Sequence, residues 1–94
     1  MIQNFKDRDA EAFWKSDGRK NRPLTAFANI AMRKLRMIDA ARMLDDLRVP
    51  PGNRLEPLTG NRDGQHSIRI NEQYRICFVW TSEGARNVEI VDYH

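Results

Sequence analysis

Residues 66–80 read His-Ser-Ile-Arg-Ile-Asn-Glu-Gln-Tyr-Arg-Ile-Cys-Phe-Val-Trp. The stretch holds two alternating runs around a short polar break. In the first run His66, Ile68 and Ile70 share one side and Ser67 and Arg69 the other. In the second, Tyr74, Ile76, Phe78 and Trp80 alternate with Arg75, Cys77 and Val79. A repeat of two is the signature of extended strands with one buried face. The Asn71-Glu72 connection is short enough to pair the two runs antiparallel. The Ile/Phe/Trp set then faces a core, and Arg69 and Arg75 face the open side.

Working outward, Ser82 to Ala85 turns the chain into a last strand, Asn87 to Tyr93. Upstream, Arg54 to Leu58 is a short extended piece, followed by a Gly/Asn/Asp-rich turn at residues 59–64. The first half has a different period. Residues 1–5 read as a short strand. Asp7 is an N-cap for a helix containing Ala10, Phe13 and Trp14, and Pro23 suits the first position of a second helix. Leu24, Phe27, Ala28, Ala31, Leu35 and Ile38 recur at three- and four-residue spacing on that helix. Asp39 is read as recapping a shorter helix with Ala40, Met43, Leu44 and Leu47. Pro50-Pro51-Gly52-Asn53 is read as ending helical structure. The prediction is an α+β fold: N-terminal helices packed on one face of a small antiparallel sheet, in a single domain spanning 1–94. A chain of 94 residues buries roughly 60–65% of its unfolded surface, which leaves a thin margin of stability.

Composition narrows the function classes. One cysteine, Cys77, rules out an intrachain disulfide. It lies in an apolar run and reads as a buried residue, not a nucleophile. No His, Cys or acid set stands at metal-ligand spacing, so neither a metal nor a cofactor is expected. No apolar run approaches the ~20 residues of a membrane span, and the N-terminus lacks the layout of a signal peptide, so a soluble cytoplasmic protein is expected. Residues 1–50 carry 11 Lys/Arg against 7 Asp/Glu, and residues 51–94 carry 5 Arg against 6 Asp/Glu. The basic clusters, Lys15/Arg19/Lys20/Arg22 and Arg33/Lys34/Arg36, are compatible with a polyanion partner or with solvated helix faces.

The chain closes on Val-Glu-Ile-Val-Asp-Tyr-His, residues 88–94. A strand that carries Asp92, Tyr93 and His94 outward leaves groups suited to proton transfer at a sheet edge; the same residues equally fit a frayed terminus that happens to end in His. Arg69 and Arg75 on adjacent strands could converge there with Glu56. They equally fit an ordinary solvent face, and Glu56 an exposed acid or a partner for Arg54. His66 shares the core side and reads as a satisfied core or edge histidine; Trp14 and Trp80 read as core.

Taken together, Leu-x-Pro-Leu-x-Gly-x-x-x-Gly from Leu55, Ser-Ile-Arg-Ile-Asn from Ser67, Tyr-Arg-Ile from Tyr74 and the closing Asp-Tyr-His resemble the HigB toxins of the RelE/ParE superfamily. The resemblance implies the RelE-like toxin fold and a ribosome-dependent mRNA endonuclease. It also implies silencing by a helix-turn-helix antitoxin of the HigA type, with operator DNA bound only through the antitoxin complex. Arg75 matches the arginine that relatives set against the scissile phosphate. Tyr93 and His94 match their C-terminal residues for acid–base work and positioning, and Asp92 belongs to the same motif. Glu56 stands where some HigB toxins carry His and where the related YoeB toxins carry a glutamate base. Thr59 replaces a lysine common in the family, a loss that Arg62 or Arg69 could offset. Arg54, Arg62, Arg69, Lys20, Arg22 and Lys34 are the RNA-contact candidates. Two alternatives share the features: a ParE-like inhibitor that binds DNA gyrase, and a non-catalytic module that docks nucleic acid or an antitoxin.

The chemistry is consistent with the resemblance. RNA can be cut through its own 2′-OH if the enzyme aligns that oxygen, removes its proton, steadies the growing charge and protonates the 5′ leaving oxygen. A glutamate, an arginine and a histidine supply the last three.

Overall fold

The structure, a computed structural model, describes residues 1–20 and 27–92. The expectations at Arg22, Pro23, Leu24, Tyr93 and His94 fall outside the described residues. Four strands, β1 (Glu56–Pro57), β2 (His66–Arg69), β3 (Tyr74–Thr81) and β4 (Gly84–Asp92), form a sheet in the order β1-β2-β3-β4. Every neighbouring pair of these strands is antiparallel, which is the meander expected from the alternation. At the β2–β3 connection Asn71 Oδ1 accepts from the backbone N–H groups of Gln73 and Tyr74, both at 2.8 Å. This Asx turn is how a short polar break reverses a chain.

The helices cover one face. Asp7 caps α1 (Arg8–Lys15), accepting from the Ala10 N–H at 2.7 Å. The second helix, α2 (Ala28–Ala40), buries Ala31, Leu35 and Ile38. They join Phe13, Leu47, Ile68, Ile76, Phe78 and Val88 in one core cluster. Burying each such large side chain contributes roughly 1.5–3 kcal/mol. Trp14 and Trp80 pack against this cluster, partly buried. Among the described residues no helix is long and apolar enough to cross a membrane.

Several expectations need correction. Asp39 recaps nothing: it lies in the last turn of α2, and its carboxylate accepts from the Ile2 N–H at 2.9 Å. The next helical segment is a 3₁₀ turn, Leu44–Arg48, and Asp46 serves it by accepting from the N–H groups of Arg42 (2.9 Å) and Met43 (3.2 Å). Nor do the prolines end helical structure. Pro51 opens a further 3₁₀ turn, Pro51–Asn53, because its fixed φ suits a first helical position. Finally, the sheet face away from the helices is not simply open. Ser67 and Cys77 are both fully buried there, under side chains described below.

The N-terminal segment makes only isolated bridges, parallel to β4, at Ile2–Ala85 and Phe5–Val88. Asn87, at φ 54°, bulges β4 so that Ala85 and Val88 both reach the core. The Asn4 side chain accepts from the bulged Asn87 N–H at 2.6 Å. The far edge of β4 is thereby covered rather than left as a bare ladder. Gly84 makes this close approach possible. It sits at φ +126°, and a Cβ there would lie 1.8 Å from the Met1 carbonyl oxygen. Gly84→Ala must strain its own backbone and displace the N-terminal segment. It is expected to lower stability by at least about 1–3 kcal/mol, read as a lower urea midpoint at unchanged m-value.

Candidate functional site

The strand register builds a polar row across the sheet face opposite the helices. Glu56 on β1 lies opposite Ser67 on β2, Ser67 opposite Cys77 on β3, and Cys77 opposite Glu89 on β4. One pair further along, Arg75 lies between Arg69 and Val91. Like charges directly opposite on neighbouring strands oppose one another, so the Arg69–Arg75 pair favours a site that receives an anion.

Arg75 lies back along its own sheet. Its Nε donates to Ser67 Oγ at 2.7 Å, and its Nη2 donates to the Arg54 carbonyl at 2.7 Å and, more weakly, to the Ser67 carbonyl at 3.4 Å. Glu56 Oε1 is 3.6 Å from the same Nη2. The arginine side chain is 11% exposed and the glutamate 49%. An ion pair with one half-exposed partner contributes little stability, roughly 0–1 kcal/mol. Its consequence is geometric: a guanidinium whose plane is set by a buried hydroxyl and a loop carbonyl, beside a carboxylate open to a ligand.

A second charged group sits further along the row. Glu89 receives Arg62 at 3.0 Å and Lys6 at 3.3 Å, and Arg62 also donates to Gln65 Oε1 at 3.2 Å. Cys77 lies between the two groups. Burial pushes its thiol up and Glu89 adds to this, while Arg62, Arg75 and Lys6 pull the other way. A buried, protonated thiol is a poor nucleophile, which agrees with the reading from sequence, although Cys77 occupies the polar face and not the helix-side core. Among the described residues no three His, Cys, Asp or Glu side chains stand close enough to hold a metal ion.

The sequence pattern of the HigB-like toxins, described as RelE-like toxins of type II toxin–antitoxin systems, matches residues 3–94. The chain belongs to this family. It is 45% identical over 87 residues to Toxin HigB-1 of Vibrio cholerae serotype O1, covering 93% of this chain and 92% of that one. It is 30% identical over 86 residues to an uncharacterized protein of Haemophilus influenzae, covering 92% of this chain and 85% of that one. In fold it is similar to the Staphylococcus aureus YoeB–YefM complex, with a TM-score of 0.62 at 18% identity over 100% of this chain and 98% of that one. It is also similar to YafQ from Escherichia coli BL21(DE3), with a TM-score of 0.56 at 15% identity over 98% and 91% of the two chains. At such identities the likeness speaks for the RelE-like fold alone.

In this HigB-like toxin the structure brings together Glu56, Arg75 and the Arg54 carbonyl, but not every candidate joins them. Asp92 lies opposite Tyr74, on the other face from Arg75, and accepts from Gln73 Nε2 at 3.1 Å. The period of two dictates this, since Asp92 and Val91 must point apart. Lys34, one of the RNA-contact candidates, does not lie open on the surface. It is only 7% exposed, and its ammonium donates to Asn53 Oδ1. His66 is not the satisfied histidine expected: its Nδ1 is buried and finds no hydrogen-bond partner among the described residues. Lys20 is exposed and, with Arg8, Glu11, Lys15 and Ser16, lines an open cleft of about 480 Å³ beside α1. Arg54 is exposed, Arg69 partly buried, and Arg62 is engaged with Glu89. Reading from sequence missed Ser67 as the support of Arg75, although alternation had put both on one face. It also missed Asn53, hidden in a Pro-Pro-Gly-Asn stretch that read as a breaker.

Proposed function

We propose that this toxin is a ribosome-dependent mRNA endonuclease that cuts through the RNA 2′-OH and is held silent by a HigA-type helix-turn-helix antitoxin. The observation that carries the reading is the Glu56–Arg75 pair, 3.6 Å apart, with the guanidinium oriented by Ser67 and the Arg54 carbonyl. In-line attack by the 2′ oxygen forms a bond to phosphorus as the bond to the 5′ oxygen breaks. Glu56 takes the 2′-OH proton. Arg75 meets the charge that builds on the non-bridging oxygens, in a site where preorganised donors act strongly. His94 gives a proton to the departing 5′ oxygen, and Tyr93 aids in positioning. Both residues follow directly on β4, whose Val91 pairs with Arg75.

Acid–base groups of this kind supply roughly 10²–10⁴-fold each. That leaves substrate alignment to the ribosome, with the exposed cations of the first half gripping its RNA backbone. Membership in a family of type II toxin–antitoxin toxins supports an antitoxin as the second partner, and a chain of similar fold occurs in a YoeB–YefM complex.

The test is the chemistry of the product ends. After brief expression, new ends on translated messages are expected to carry a 2′,3′-cyclic phosphate or 3′-phosphate facing a 5′-OH. Ends with a 3′-OH and 5′-phosphate overturn the 2′-OH route. Growth arrest with intact messages overturns the nuclease reading altogether.

A further inference from the structure

Lys34 is an odd residue to bury. Its ammonium is withdrawn from water by packing, and Arg33 and Arg69 add like charge nearby. Among the described residues no carboxylate answers it, and its partner is the neutral Oδ1 of Asn53. Asn53 is itself fully buried. Its Nδ2 donates to the Leu47 carbonyl at 3.1 Å and to the Val49 carbonyl at 3.5 Å. The Asn53 backbone N–H donates to the Pro50 carbonyl at 2.9 Å. One asparagine thus ties the whole 47–53 loop onto α2.

The chain leaves that anchor in one particular direction. Arg54 is held left-handed, at φ 47° and ψ 53°, with its N–H donating to the Pro51 carbonyl at 3.0 Å. Its own carbonyl is the acceptor for Arg75 Nη2. Glu56 stands two residues further on. A hydrophobic residue at position 34 would hold α2 to the loop without the cost of desolvating a charge, and an apolar residue at 53 would leave the carbonyls of Leu47 and Val49 unserved. What the polar pair supplies is a fixed place for the Arg54 carbonyl.

We propose that Lys34 and Asn53 are positioning residues for Arg75, acting through the Arg54 carbonyl to set its guanidinium. The inference rests on the nuclease reading for its activity arm. Its structural arm stands without it.

The experiment compares Lys34→Met and Asn53→Ala with the parent in two measurements. First, the Arg75 Nε–H resonance, assigned by its loss in Arg75→Lys, is expected to shift or broaden in both variants. Amide signals of α1 and of the β3–β4 turn are expected to stay in place. Second, single-turnover cleavage on programmed ribosomes is expected to fall about 10- to 100-fold at saturation, as for a misplacement on the scale of 1 Å, with the half-saturating ribosome concentration unchanged. In an Arg75→Lys background the same substitutions should lower the rate less than about twofold, because the group they position is gone. Lys34→Arg, which keeps a donor, should recover most of the parent rate.

An unmoved Nε–H resonance, or an equal loss of rate in both backgrounds, overturns the proposal. If Asn53→Ala does not fold, Lys34→Met decides alone, since it leaves the Asn53 amide donors in place. A parent protein that never cuts RNA sinks the nuclease reading, and the resonance arm then still decides whether the anchor sets Arg75.

Discussion

Arg75→Ala is expected to lower single-turnover message cleavage by about 10²–10³-fold, the loss typical of removing one preorganised donor to a developing oxyanion. The substitution does two things. It removes a charge from the sheet face, and it strips Ser67 Oγ and the Arg54 carbonyl of the donor that serves them at 2.7 Å. The second effect costs some stability, but less than the about 1–3 kcal/mol of an unserved buried polar group, because removing the arginine that covers Ser67 lets water serve the hydroxyl. Arg75→Lys separates the two. Lysine keeps the charge but has no planar fork that spans a hydroxyl, a carbonyl and a phosphate together. It is expected to recover less than a tenth of the lost rate. Urea unfolding beside the kinetics checks that the loss outlasts any change in fold. A Lys variant that cuts as well as the parent would reduce Arg75 to a source of charge and remove the geometric role of Ser67.

Much of this arrangement was legible before the structure, and its limits have physical causes. The period of two in residues 66–80 gives both the strands and their faces, since side-chain direction in a strand follows from backbone geometry alone. It therefore put Arg75 and Ser67 on one side. It did not reveal that Arg75 bends back over Ser67 and buries it, because a rotamer is chosen by packing and hydrogen bonds from residues far along the chain. The same limit hid Lys34. On a helical wheel it sits beside Leu35 and Ile38 as readily as beside Arg33, and only the loop ending at Asn53 decides that it is covered. Asp39 misled for a related reason: an acid near a helix end serves whichever N–H comes near, and here that is Ile2. The bulge at Asn87 shows the reverse. A bulge needs one residue at positive φ, which Asn tolerates, yet nothing local demanded it before Asn4 was in place. Asp92 was grouped with the catalytic candidates through the closing Asp-Tyr-His motif, whereas the strand period sets it on the face away from Arg75.

His94→Ala is expected to lower cleavage by about 10²–10⁴-fold, the range for loss of one general acid or base, and Glu56→Gln by a similar amount. Rates alone therefore do not tell the two groups apart, but the leaving group does. An RNA in which the 5′ bridging oxygen at the cut is replaced by sulfur expels a thiolate, which needs no proton to depart. The expected result is that His94→Ala cuts the sulfur-bridged RNA within about tenfold of the parent, with most of its defect gone. Glu56→Gln should keep its full defect on the same substrate, because the 2′-OH must still lose its proton. The placement of Glu56 supports this division of labour. It is half-exposed and 3.6 Å from the Arg75 guanidinium, at the start of β1, directly after the segment anchored through Asn53 and Arg54. If sulfur instead rescues Glu56→Gln and leaves His94→Ala impaired, the two roles exchange: His94 is the base, and Glu56 delivers the proton to the 5′ oxygen. If sulfur rescues neither, proton delivery to the leaving group is not what either residue contributes, and Arg75, held by Ser67 and the Arg54 carbonyl, becomes the principal agent of catalysis.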